Sequence, residues 1–215
     1  MARITSIEKL TLKEMISNPH LYANLSSGLI QLPLPEYLQV GKKHLFIPKD
    51  LDGFTKNLCY GQRLFIVRKE ENDFGIILRV IDGYYYSLFT NKVWDEDKAL
   101  LFGNNVLTCK VKELYPVAMH LVTLTSELTE REQKLLHREP SKLEKAAGID
   151  KLNLFSELTS LDFLRDAMKC TIQEVLLTPY NECLVRFMIA KETADFQERY
   201  YELIKEEGKP KSKYK

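Results

Sequence analysis

The side chains that could do chemistry in this chain are few and scattered. Asp95-Glu96-Asp97 is the densest carboxylate cluster, and adjacent acids can hold a divalent cation through hard oxygen ligands. Such triplets also sit on solvated turns, so Asp95-Glu96-Asp97 and Glu70-Glu71 are read as acidic turns without a metal. His20, His44, His120 and His137 are far in sequence from one another and from Cys59, Cys109, Cys170 and Cys183, which leaves no short-spaced ligand set for zinc. Asp50-Leu51-Asp52-Gly53 opens like a calcium loop, but Phe54 and Lys56 stand where oxygen ligands should follow, so it is read as a turn. No GxSxG nucleophile turn and no GxxxxGK or GxGxxG phosphate loop occurs; Gly28 follows Ser26-Ser27 without the flanking pattern. The expectation is a chain with no catalytic residue, no cofactor and no metal.

Three stretches carry binding signals instead. Tyr84-Tyr85-Tyr86 in a strand would put Tyr84 and Tyr86 on one face, where exposed rings near Arg63, Arg68 and Arg79 could stack bases. The same rings could equally stabilise a half-buried sheet. Leu29 to Tyr37 contains Pro33 and Pro35, which remove amide donors, so it is extended but not a central strand. Its Leu32, Leu34 and Tyr37 could reach a partner as a polyproline-like arm or lie on the domain as an ordered connector. Lys209, Lys211 and Lys213 lie in an acid-free tail that could touch phosphates, solubilise the end or pack on an acidic neighbour.

The elements that must position these residues read as follows. Thr11-Leu12-Lys13-Glu14 is a capping box for a short helix that stops at Asn18, before Pro19. His44 to Ile47 is a short strand. Gln62–Arg68, Phe74–Ile81 and Tyr84–Phe89 read as strands, the last two joined by Asp82-Gly83 as a type I′ hairpin. Asn104-Asn105 reads as a tight turn into an alternating strand, Val106–Lys112. Together these predict an antiparallel β meander that could close into a small barrel. Leu114 to Thr125, interrupted at Tyr115-Pro116, is a further strand or a hinge. Beyond Ser126 the period is helical. Thr129 and Ser141 each open a capping box, and Gly148 ends the second helix. Thr159 opens an amphipathic helix broken at Thr178-Pro179, and the longest helix runs from Tyr180 to Glu207. That helix carries one apolar stripe of Val185, Ile189, Phe196, Tyr200 and Leu203 and a second of Leu184, Phe187, Ala190 and Ala194.

The expected fold class is α+β. An N-terminal helix and Pro-containing arm occupy residues 1–43, a β meander domain 44–125, a helical domain 126–208 and a basic tail 209–215. The 215 residues, 45% of them hydrophobic, can build a sizeable core. Lys+Arg 31 against Asp+Glu 30 gives no global charge to favour nucleic acid or an anionic membrane. The cysteines read as reduced, mostly buried thiols. No secretory leader or membrane-length apolar run is evident, so synthesis in a cytoplasm and no membrane partner are expected. The expected function is a non-enzymatic structural or assembly protein, a homo-oligomer that also docks to larger protein partners. A phage virion ring, connector or head–tail adaptor component is one concrete form of it. The alternative is a single-stranded nucleic-acid-binding module using the tyrosines and basic residues.

Overall fold

Thr11 starts the first helix as its spacing predicts. Its Oγ1 accepts from the Glu14 amide at 3.3 Å, and the Thr11 amide donates to Glu14 Oε2 at 2.9 Å, so two otherwise unpaired donors are satisfied reciprocally. The computed structural model describes residues 9–18, 20, 28–29, 31–68 and 73–207. Helix α1 (Leu12–Ser17) leaves helical geometry at Asn18. Strands β1 (Tyr37–Val40) and β2 (Lys43–Phe46) pair antiparallel, Tyr37 opposite Phe46 and Val40 opposite Lys43. Gly41 opens the two-residue loop at φ 60°, where a type II′ turn calls for glycine. Leu38, Val40 and Leu45 face the core, while Tyr37 and Phe46 face outward. Asp50 then accepts from the Gly53 amide at 2.8 Å and caps α2 (Leu51–Lys56), so the expected turn is a helix start.

Of the strands expected in residues 44–125, the one at His44–Ile47 forms as β2; the rest are helical apart from the link Leu107–Lys110. The helical residues form α3 (Tyr60–Val67), α4 (Asp73–Thr90), α5 (Glu96–Val106) and the first half of α6 (Val111–Leu136). Among the described residues the only sheet is the β1–β2 hairpin; no barrel forms, and the chain is mostly helical. Asp82-Gly83 lies in the middle of α4, where every residue from Val80 to Tyr86 is buried. A helix packed on all sides carries apolar residues all round, so its sequence shows a continuous run that periodicity cannot tell from a buried strand. Gly83 serves close approach rather than a turn. A Cβ there would stand 2.5 Å from Ile66 Cγ1 and 2.9 Å from Phe65 Cδ1, so α3 can lie against α4 only where a side chain is missing. Gln62 Nε2 completes the contact by donating to Gly83 O at 2.7 Å inside the core.

Three more expected breaks lie inside helices. Pro116 sits within α6, where its missing amide is outweighed by burial of Tyr115, Pro116, Val117 and Ala118 together. Thr129 caps nothing; its Oγ1 donates back to Thr125 O at 2.9 Å along the same helix. Asn104-Asn105 belongs to the last turn of α5.

Beyond α6 the sequence reading holds better. Ser141 caps α7 (Lys142–Ala147) with Glu144, and Gly148 ends it in the left-handed region at φ 83°. A 3₁₀ turn (Ile149–Leu154) leads to α8 (Ser156–Met168). The helix expected from Thr159 to Leu176 is two helices, because Lys169 adopts φ 55° and Thr171 and Glu174 form a fresh capping box for α9 (Ile172–Leu177). The last helix, α10, starts at Tyr180 as the sequence predicts and runs to Glu207, the last described residue.

One core joins α1, the hairpin, α2 to α6 and the start of α10. A smaller cluster of Tyr60, Leu64, Leu164, Val175 and Cys183 fastens α8 and α9 to α3 and α10. The expected boundary at residues 125/126 falls inside α6, whose buried side chains run unbroken in role from Val111 to Leu128 in the same core.

Candidate functional site

Polar side chains from four elements meet where α3, α6, α8 and α10 come together. The chain brings the starts of α3 and α10 side by side: the Tyr60 amide donates to Thr178 O and the Tyr180 amide to Leu58 O, each at 2.9 Å. One turn into α3, Arg63 Nε donates to Glu132 Oε1 at 2.8 Å, and its Nη2 reaches the other carboxylate oxygen. Both side chains are mostly buried, 14% and 16% exposed. Tyr60, Tyr180, Glu157 and Ser160 complete a cleft of about 280 Å³. Burial pushes the Tyr60 phenol up to about 12, and burial beside the Glu132 carboxylate raises the Tyr180 phenol further. Both phenols are therefore neutral across the physiological range, and the one guanidinium is committed to the one buried carboxylate. The arrangement is a charge-balanced tie between α3 and α6, as buried ion pairs require.

A second tie lies at the far end of α6. Arg138 donates to Glu144 Oε1 at 2.8 Å, to Asp195 Oδ1 at 2.9 Å and to Glu198 Oε2 at 3.0 Å. One guanidinium thus joins the end of α6, the start of α7 and the middle of α10. The Arg138 guanidinium and the Ser141 amide hold the Glu144 carboxyl down to about 2. The effect on α10 is orientation: Asp195 and Glu198 point inward, which rotates the opposite side of that helix into solvent.

That outward side is apolar. Val185, Ile189, Phe196, Tyr200 and Leu203 are 51%, 54%, 61%, 52% and 60% exposed, at spacings of four, seven, four and three residues that keep them on one face. Phe196 and Tyr200 stack along it with ring centroids 6.1 Å apart. The second predicted stripe divides from it: Leu184 is buried, and Phe187 packs inward on Tyr60 and Phe163. Sequence spacing reveals both stripes, but only the packing shows which one is open.

The residues singled out for partner contact separate into three groups. Leu34 and Tyr37 are exposed at 44% and 46%, beside Phe46 at 84%, and the Tyr37 ring packs at a tilt on His44 with centroids 4.3 Å apart; Leu32 is half-buried against the main core. Tyr84 and Tyr86 are core residues, 2% and 3% exposed. Tyr84 stacks on Phe54 and Tyr86 meets the edge of Trp94. They cannot stack bases, because the run that carries them is a buried helix and not the open face of a sheet. Lys209, Lys211 and Lys213 lie outside the described residues.

The acidic triplet is a helix N-terminus. Asp95 accepts from the Lys98 amide at 3.1 Å, and Glu96 pairs with Arg68, so the acids complement the positive end of α5. No group of three His, Cys, Asp or Glu able to hold a metal occurs among the described residues. His120 Nε2 is 2.7 Å from Pro48 O, and His137 lies 3.2 Å from Glu139. Burial pushes the Cys109 and Cys183 thiols up to about 11 and about 12, well away from thiolate chemistry. No described helix is long and apolar enough to cross a membrane. Compared with known proteins, the chain matches no family, no curated protein and no solved structure.

Proposed function

We propose that this protein is a non-enzymatic structural or assembly subunit that docks to other proteins through the outward face of α10. The observation that carries the reading is a set of exposed large apolar side chains on one face of α10, Val185 and Ile189 near its start and Phe196, Tyr200 and Leu203 further along, with Glu192 and Thr193 between the two groups. Single exposed apolar residues are ordinary, but five on one face of a single helix mark a contact surface. The exposed group of Leu34, Tyr37 and Phe46 on the hairpin offers a second, smaller contact. The nucleic-acid alternative has lost its stacking platform, since Tyr84 and Tyr86 are in the core.

The test is native mass measurement on the tagged full chain isolated from its own cells. The wild type is expected in a complex heavier than one chain, and Ile189→Asp with Phe196→Asp is expected to leave it as a folded monomer. A wild-type protein that is monomeric at every stage of isolation, or a variant that keeps the full complex, overturns the reading.

A further inference from the structure

The face of α10 that the proposed function rests on also specifies its occupant, because its flanking charges are arranged for self-pairing. Glu192 and Arg199 lie on the same side of the apolar row, seven residues apart, two turns along with a drift of about 20°. Phe196 lies between them on the row itself. We propose that α10 pairs antiparallel with α10 of a second copy of this chain, about a two-fold axis passing close to Phe196.

In an isologous contact, residue i meets j and j meets i. With Phe196 on the axis, Phe196 meets its own counterpart and Ile189 of each copy meets Leu203 of the other. Glu192 of each then faces Arg199 of the other, so one pair of side chains supplies two bridges. A parallel two-fold pairing would carry that flank to the opposite side of the seam, so Glu192 and Arg199 would not meet and neither bridge would form. Within the chain, Lys191 Nζ stands 3.8 Å from Glu192 Oε1. Glu192 is 69% exposed in that pair, so a rotamer change frees it for a partner.

The contact has a size that sets its strength. The row spans 18 steps of the helix, about 27 Å, and one helix width gives a few hundred Å² per copy, below the standard size of stable interfaces and in the class of weak, transient contacts. The dimer is therefore expected to be weak and to form only at the higher concentrations.

Sedimentation equilibrium on the full chain from about 1 μM to about 500 μM reads this directly. The wild type is expected to pass from monomer to dimer and no further. Glu192→Arg and Arg199→Glu, each alone, place like charges at both bridges and are expected to weaken dimerisation by at least about tenfold. An equimolar mixture of these two variants restores both bridges in a heterodimer and is expected to recover wild-type mass. Both positions are on the surface, and circular dichroism confirms that each variant folds. A wild type that stays monomeric throughout, single variants that dimerise like wild type, or a mixture that fails to recover overturns the self-pairing. If the wild type alone is monomeric while Ile189→Asp with Phe196→Asp drops out of a larger native complex, self-pairing fails and the assembly reading stands.

Discussion

Asp82 is a carboxyl placed where a charge cannot be supported, and neutralising it should change how stability depends on pH. It is 3% exposed in the middle of α4, and its Oδ1 is buried without a hydrogen-bond partner among the described residues. It faces α5 at Gly103, where a Cβ would stand 2.9 Å from Oδ2. Burial pushes its carboxyl from 3.8 up to about 8. Because the folded value lies above the unfolded one, Asp82 leaves stability untouched below pH 3.8. Between there and about pH 8 the folded state must hold a proton that the unfolded chain releases. The cost grows by about 1.4 kcal/mol per pH unit, reaching on the order of 4 kcal/mol at pH 7, and it levels off above about pH 8. Asp82→Asn keeps the shape and removes the titration, at a penalty of about 1 kcal/mol for burying the extra amide donor. The variant should therefore be less stable than wild type near pH 4 and more stable at pH 7. Urea unfolding followed by Trp94 fluorescence measures this, since the single tryptophan packs against Phe65 and Tyr86 in the same core. Carboxylates held low by their partners, Glu144 among them, lose stability at the acid end in both proteins and cancel in the difference. Parallel stability profiles for the two proteins from pH 4 to pH 8 would refute the reasoning.

Gly83→Ala should destabilise by about 1–2 kcal/mol in the same urea assay, because the 2.5 Å approach to Ile66 outweighs the gain of about 1 kcal/mol in helix propensity; a more stable variant would mean that α3 and α4 are not in contact there. Arg63→Met should cost about 3 kcal/mol by stranding the Glu132 carboxylate, and adding Glu132→Leu should recover most of it. A double variant no better than the single one would show that the pair does more than balance charge.

Helix termini were the most legible features in the sequence, because each is set by a few neighbouring residues. Thr11 with Glu14 and Ser141 with Glu144 and Gly148 follow from local hydrogen bonding and backbone sterics, and α10 starts directly after Pro179. The capping box at Thr171 obeys the same rule and marks the break between α8 and α9; the continuous apolar spacing across it concealed the signal. The interior of the fold was not legible for a different reason. From Phe74 to Phe89 the run is β-branched and aromatic with an Asp-Gly in its centre, and each of those local preferences favours a hairpin. Tertiary contact reverses them: Gly83 is required by Ile66 and Phe65, Gln62 claims the Gly83 carbonyl, and Tyr84 and Tyr85 fill space that a two-stranded ribbon would leave to water. The hairpin the chain does form is opened by Gly41, whose neighbour Lys42 gives a weaker turn signature than Asp82-Gly83.

The two stripes of α10 show why an apolar face can be open without being a defect of the monomer. In the first half of the helix the inward side is apolar, with Leu184 buried and Phe187 against Tyr60 and Phe163. In the second half the inward side becomes ionic, because Asp195 and Glu198 are both bonded to Arg138. Three of the exposed apolar residues of that half, Phe196, Tyr200 and Leu203, therefore lie on the side that continues Val185 and Ile189 outward. Rotating the helix to bury them would tear two carboxylates from Arg138 and leave its charge against Glu144 alone. The monomer is thus locked with its inward contacts satisfied and its outward row exposed over about five turns. A helix that only needed to stay folded would gain from polar residues along that row. Its large apolar side chains are stabilising only when something covers them.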